Sequence, residues 1–310
     1  MGRIFPLIVL TSLLSAFVFF SHARAQQAPQ AANEAGKASA AIPIAQAHVL
    51  VTISDNQGHL ISTPSKDQLV VHDNGRLVEV EEIRSAKDDP IVFSLLVDDS
   101  GSTRDLGKLQ LETAVKLFRA LSSMGNHGYL SLFADNVITS DNFVDVGTVE
   151  QTLEPENIPR RGATTRYDAV IHACAMQLNR AKIPESSRRV IFLFSDGGDD
   201  ASHYSLEQTL KIVQGEGVPV FSVGTSSKPA RQLEKQGLSS LRSLSYKTGE
   251  DVELVDQQND VVSQILTRLN EQYVLTFALA PGKPGTFHSL EVKSIVKDVR
   301  VSAPTRYFAR

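Results

Sequence analysis

An α/β fold built on a doubly wound, Rossmann-like, mostly parallel sheet is predicted for the centre of this 310-residue chain, and three observations predict it. Residues 91–97 and 190–194 are apolar runs with no polar alternation, the pattern of strands buried on both faces. Helical periods alternate with them along the chain, as βαβ units require. Both runs end in hydroxyl and carboxylate clusters, Asp98-Asp99-Ser100-Gly101-Ser102 and Ser195-Asp196-Gly197, at the strand C-terminal edge where open α/β sheets bind ligands.

Arg3 followed by an apolar stretch to Phe20, then Ser21-His22-Ala23-Arg24-Ala25, reads as a secretory signal over residues 1–25 cleaved after Ala25. Its apolar core is marginal for a membrane span, no later segment is apolar enough, and no Cys near the cleavage point can carry a lipid. The mature chain is therefore expected outside the cytoplasm, in a periplasm or beyond, with no membrane span. Residues 26–41, rich in Ala and Gln without period, read as a disordered linker.

Residues 42–89 form an N-terminal β segment: runs at 49–53, 69–72 and 77–80, the last two joined by Asp73-Asn74-Gly75, a hairpin signal. The α/β domain is expected over 90–272, with strands at 91–97, 129–133, 190–195, 218–224 and 252–255. Helices are expected near 104–123, 166–180, 205–215 and 238–246, and a last amphipathic one carries Val261, Val262, Ile265, Leu266 and Leu269. Residues 273–310 return to short β runs. Neither terminal segment has strands enough for a core, so the two should pack together as one small flanking β domain.

A formal charge of -4, from 31 basic and 35 acidic residues without a Lys/Arg run, argues against nucleic acid as partner. The single cysteine, Cys174, excludes an intrachain disulfide. It shares a helix face with Tyr167, Val170, Ile171 and Leu178, as a packed structural thiol would.

Gly162-Ala163-Thr164 joins the two strand-end clusters as a third oxygen-bearing stretch. Singly, each has a plain explanation: Ser102 with Asp105, and Thr165 with Asp168, are capping-box patterns, and Asp196-Gly197 is a turn. Together they set hydroxyls and two carboxylates at one sheet edge, where the carboxylates repel unless a cation lies between them. Oxygen donors without His or Cys suit Mg2+, Mn2+ or Ca2+ and disfavour Zn2+. So few protein charges leave a coordination position open to water or to an acidic group on a partner.

Val97-Asp98-x-Ser100-Gly101-Ser102, Gly162-Ala163-Thr164 ahead of Tyr167-Asp168-Ala169, and Phe194-Ser195-Asp196-Gly197 resemble the three loops of the metal-ion-dependent adhesion site of von Willebrand factor A domains, over about residues 90–255. The resemblance implies that fold type and a Mg2+-preferring site. Ser100, Ser102 and Thr164 would coordinate, Asp98 and Asp196 would act directly or through water, and a carboxylate from a protein partner would complete the shell. More loosely, the stretch from Val51-Thr52-Ile53-Ser54-Asp55 through His72-Asp73-Asn74-Gly75, with Arg306-Tyr307-Phe308-Ala309, is similar to the flanks of an exported bacterial subfamily described mainly from acidobacteria. Asp99 and Arg166 depart from the family pattern. Asp99 either adds charge beside the ion, favouring Ca2+, or is a solvated carboxylate; with Arg166, Asp199 and Asp200 it makes a candidate partner-binding rim.

Enzymatic readings are weaker. A haloacid dehalogenase-type phosphatase needs a second Asp two residues after its nucleophile, where Ser100 stands. No G-x-S-x-G elbow surrounds Ser100 or Ser102, and neither His172 nor His203 has a second His or a Cys four residues on. The expectation is a non-enzymatic, cation-dependent adhesion or protein-interaction module; the alternative is a metal-stabilised structural or assembly module that pairs through its β flank.

Overall fold

The computed structural model describes residues 46–184, 186–225, 233–255, 260–279 and 285–309. The expected signal and linker lie outside the described residues.

The chain opens with β1 (Gln46–Asp55), β2 (Leu69–Asp73), β3 (Arg76–Val78) and β4 (Val80–Ser85). Asn74 (φ 50) and Gly75 (φ 75) form the two-residue left-handed turn between β2 and β3 that an Asn-Gly pair favours. The run expected as one strand over 77–80 is divided: β3 ends at Val78, and Val80 opens β4 in the opposite sheet.

The central domain then runs β5 (Ile91–Asp98), α1 (Gly107–Ser123), β6 (His127–Phe133), β7 (Val137–Thr139), α2 (Val146–Thr152), α3 (Arg166–His172) and β8 (Arg188–Ser195). It continues with α4 (Leu206–Gly215), β9 (Val220–Thr225), α5 (Leu233–Lys247), β10 (Val252–Val255) and α6 (Val261–Asn270). The sheet order is β10-β9-β8-β5-β6-β7, parallel except for β7. Every residue of β5 is buried, and its alternation divides them between two cores. Phe93, Leu95 and Val97 meet Leu117 and Phe118 of α1 and Ile265 and Leu269 of α6. Val92 and Leu96 meet Val170 of α3, Leu210 and Val213 of α4, and Leu241 and Leu244 of α5.

Several helices differ from expectation: α2 was not expected, and α5 starts at Leu233 where a helix near 238–246 was expected. α1 begins later, after a 3-10 turn (Gly101–Leu106), and α3 gives way to a π-helical turn (Ala173–Leu178). On that wider turn Gln177 reaches the sheet: its Oε1 accepts from Ser94 Oγ at 2.6 Å and its Nε2 donates to Ser140 O at 3.1 Å. Cys174 on the same turn is fully buried, and burial pushes its thiol up to about 12.

The chain ends with β11 (Gln272–Ala278), β12 (Thr286–Ser294), β13 (Val299–Ser302) and β14 (Arg306–Ala309). These interleave with the first four strands in two sheets, β13-β1-β11-β4 and β14-β12-β2-β3, so each sheet takes strands from both ends of the chain. Val51, Ile53, Val71, Leu275, Phe277 and Leu290 fill the space between them. Inside, His288 Nδ1 lies 2.7 Å from Asp73 Oδ1 and 3.4 Å from Tyr307 Oη, joining the two terminal motifs noted in the sequence.

Candidate metal centre

Asp98 ends β5 with its side chain fully buried. Its Oδ1 accepts the Ser100 N–H at 2.9 Å and its Oδ2 accepts the Ser195 hydroxyl at 2.6 Å, so the ends of β5 and β8 are tied through one carboxylate. Ser100 is buried, with Oγ 3.1 Å from Ser102 Oγ, while Ser102 is exposed. The first loop is stitched to the second by Gly101 N–H to Gly162 O at 3.2 Å and Arg161 N–H to Asp99 O at 3.1 Å.

Gly162 has φ 86, and a Cβ there would run into the Asp135 carboxylate, whose Oδ1 accepts the Ala163 N–H at 2.7 Å. This turn delivers Thr164, which is buried. Thr164 N–H donates to Asp200 Oδ1 at 2.6 Å, and its carbonyl accepts from Asp200 N and Ala201 N, joining the second loop to the third. In the third loop Asp196 Oδ1 accepts the Gly198 N–H at 2.9 Å. A Cβ placed on Gly198 would lie 3.3 Å from Asp196 Oδ1 and 3.9 Å from Thr164 Oγ1, so those two oxygens flank one point. Gly197 (φ 92) is pressed against the backbone of Gly237 on α5.

Burial pushes the Asp98 carboxyl up to about 6; the charge of Asp196 pushes the same way, and hydrogen bonds from Ser100 and Ser195 oppose both. Among the described residues no basic side chain donates to a side-chain oxygen of Asp98 or Asp196, and no group of three or more His, Cys, Asp or Glu could hold a metal alone. Two carboxylates whose repulsion Arg160 and the Ser100 and Ser195 donors answer only in part, set among three hydroxyls, fit a hard divalent cation. Asp98, Ser100, Ser102, Thr164 and Asp196 would hold it.

The expected rim is corrected in two places. Asp99 is not a solvated carboxylate: it is buried, and its Oδ1 accepts the Arg160 N–H at 2.7 Å. Arg166 is buried, donates to Gly197 O and lies 4.6 Å over the Tyr167 ring, so it braces the third loop from inside and offers nothing to a partner. Asp199 accepts from Tyr167 N at 3.0 Å and Ser202 Oγ at 2.7 Å, and Asp200, though exposed, accepts the Thr164 N–H.

Nor does the capping box of Thr165 with Asp168 form. Thr165 Oγ1 donates to Ala134 O at 2.8 Å, and the Asp168 carboxylate accepts from His203 N at 2.9 Å and Tyr204 N at 3.2 Å. Ser102 likewise pairs with Ser100 instead of capping a helix.

Sequence reasoning missed Arg160. It is buried at φ 48, and its Nη1 donates to Asp98 O at 2.6 Å, Thr103 Oγ1 at 2.7 Å and Gln110 Oε1 at 2.7 Å. Charged residues are rarely buried without partners, and no local pattern announces partners some 50 positions away. The Ser195 bridge to Asp98 was missed as well, although the residue was in view.

Fold and loops together define a doubly wound α/β domain with an oxygen-lined site at the C-terminal edge of its central strands. No protein-family model and no curated protein matches the chain. Solved structures similar to it include von Willebrand factor type A from Catenulispora acidiphila, at TM-score 0.48 and 10% identity, covering 86% of this chain and 74% of that one. Proximal thread matrix protein 1 from the mussel byssus, with a zinc-occupied MIDAS motif, has TM-score 0.48 and 14% identity, covering 62% of this chain and 48% of that one. Manganese-loaded TRAP protein of Plasmodium vivax has TM-score 0.45 and 17% identity, covering 76% of this chain and 97% of that one. These are likenesses of fold alone, and the site rests on this chain's own residues.

Proposed function

We propose that this chain is an exported, non-enzymatic binding protein of the von Willebrand A type that captures a protein partner through a divalent cation, Mg2+ being preferred. One observation carries the reading: Asp98 is buried beside a second carboxylate with no basic side chain on its carboxylate oxygens, on a path of hydroxyls that leads outward through Ser100 to the exposed Ser102. A bound cation supplies a Lewis-acid position for a carboxylate oxygen. Asp98 and Asp196 contribute charge, Ser100, Ser102 and Thr164 contribute neutral oxygens, and the hydrogen bonds among the three loops keep these groups in register before any ligand arrives.

The non-enzymatic reading is supported by Asp98 itself, whose two oxygens are both engaged and which lies at the base of the loops, a poor posture for a nucleophile. No helix among the described residues is long and apolar enough to cross a membrane; export rests on the signal-like start of the sequence.

Calorimetric titration of Mg2+, Mn2+, Ca2+ and Zn2+ into the wild type and Asp98→Ala tests the site. Binding by the wild type and none by the variant is expected; equal isotherms would refute it. Capture from the exported fraction with Mg2+ or with chelator then separates adhesion from the structural-module alternative, because a metal-bridged partner is lost to chelator and one held by the β flank is retained.

A further inference from the structure

The rim carries charges the sequence did not bring forward. Arg104 stands two residues after Ser102 in the 3-10 turn, is exposed, and its Nη2 donates to Arg160 O at 3.3 Å. Arg161 directly precedes Gly162 and is exposed; its Cα lies 3.8 Å from where a Cβ would stand on Gly101. Its charge acts on Asp99, against the upward push of burial. Both arginines thus border the first and second loops beside Ser102, and among the described residues neither is in an ion pair.

The acids around them are committed elsewhere. Asp99 is buried on Arg160 N, Asp135 accepts the Ala163 N–H, and Asp199 and Asp200 accept amides on the third-loop side. The rim on the side of the first and second loops therefore carries two guanidinium groups outside any ion pair, among carboxylates already hydrogen-bonded to backbone amides. A guanidinium is a planar fork of donors matched to a carboxylate. A ligand with one acid, spent on the cation, leaves both forks facing water.

We propose that the ligand of this site is a segment with two acidic side chains close together, one for the cation and the second for Arg104 and Arg161. This rests on the cation-capture reading above and names the chemistry of its partner.

The test uses the full chain and two fluorescein-labelled Gly/Ser peptides, one carrying a single glutamate and the other two glutamates three positions apart. Anisotropy titrations are run in Mn2+ and in EDTA, at low and at raised salt. The two-acid probe should bind about fivefold tighter in Mn2+, an advantage of the size exposed ion pairs supply and one that shrinks as salt rises. Replacing both arginines, Arg104→Gln with Arg161→Gln, should bring it down to the one-acid probe while leaving the Mn2+ isotherm unchanged. Equal binding of the two probes, or an advantage that survives the double replacement, overturns the two-acid proposal and leaves cation capture standing if binding still needs Mn2+. Binding of neither probe, or binding indifferent to Mn2+, overturns both.

Discussion

Arg160 Nη1 donates to the main-chain oxygen of Asp98 at 2.6 Å, so a buried guanidinium on the second loop holds the backbone that carries the carboxylate of the first. The same group reaches Thr103, Gln110 and Gly107, while the Arg160 N–H is taken by Asp99. Arg160→Met removes these donors and leaves buried acceptors without them. A loss of about 3 kcal/mol in urea denaturation is expected, with Mg2+ affinity falling about tenfold or more. Asp99→Asn keeps an oxygen for the Arg160 N–H and should cost less on both measures. Wild-type Mg2+ affinity in Arg160→Met would show that the guanidinium does not set the loop.

Gly197 offers a sharper steric test. Its φ of 92 disfavours any side chain, and a Cβ would strike the backbone of Gly237, which cannot swing away as a side-chain tip can. Gly197→Ala should cost about 3 kcal/mol and weaken Mg2+ binding by displacing Asp196. Gly58, with φ 89 and open space around it, is the control: alanine there should cost about 1 kcal/mol and leave the isotherm alone. Equal losses at the two positions would mean that the contact with α5 contributes nothing.

The strands expected at 91–97 and 190–195 were legible because burial on both faces leaves a mostly apolar run, and Asp98, Ser100, Ser102 and Asp196 because they stand where such a run ends; Thr164 follows neither run and was legible only from the Gly162-Ala163-Thr164 stretch. The Asn74-Gly75 hairpin was legible from turn chemistry alone. Arg160, Asp99 and Arg166 were not, because their partners lie far along the chain, main-chain groups of other segments and, for Arg160, the side chains of Thr103 and Gln110, and periodicity reports only which face of an element is covered. The π-helical turn was hidden likewise: Gln177 reads as one more polar helix position until Ser94 and Ser140 are brought beneath it.

Asp98 sets the pH dependence. Its carboxyl is raised from 3.8 to about 6 in the folded chain, so between those values the folded state holds a proton that the unfolded chain has released. Without metal, the stability that Asp98 contributes is full below pH 3.8 and is lost as pH rises through about 6, by up to about 3 kcal/mol at about 1.4 kcal/mol per pKa unit. With Mg2+ the trend reverses, because the ion must displace that proton: apparent affinity should fall about tenfold per pH unit below 6. The gap between melting curves with and without Mg2+ should be smaller near pH 5 than above pH 7, and Asp98→Asn should lose this pH dependence. An Mg2+ shift at pH 5 as large as that above pH 7 would contradict this assignment.

In the flanking sandwich, His288 faces Asp73 at 2.7 Å, with side chains 3% and 0% exposed, and Tyr307 closes the group with its hydroxyl pushed up by burial and by Asp73. His288→Leu takes one partner from a buried carboxylate and should cost about 3 kcal/mol of stability. Strands β2, β12 and β14, which carry these three residues, belong to one sheet of the sandwich, whereas the five ligand residues stand at the end of β5 and in loops of the central domain. The Mg2+ isotherm of the folded variant should therefore stay within about twofold of wild type, a shift of under half a kcal/mol. A proportionate fall in Mg2+ affinity would instead join sandwich and site into one energetic unit, favouring the structural-module reading over adhesion.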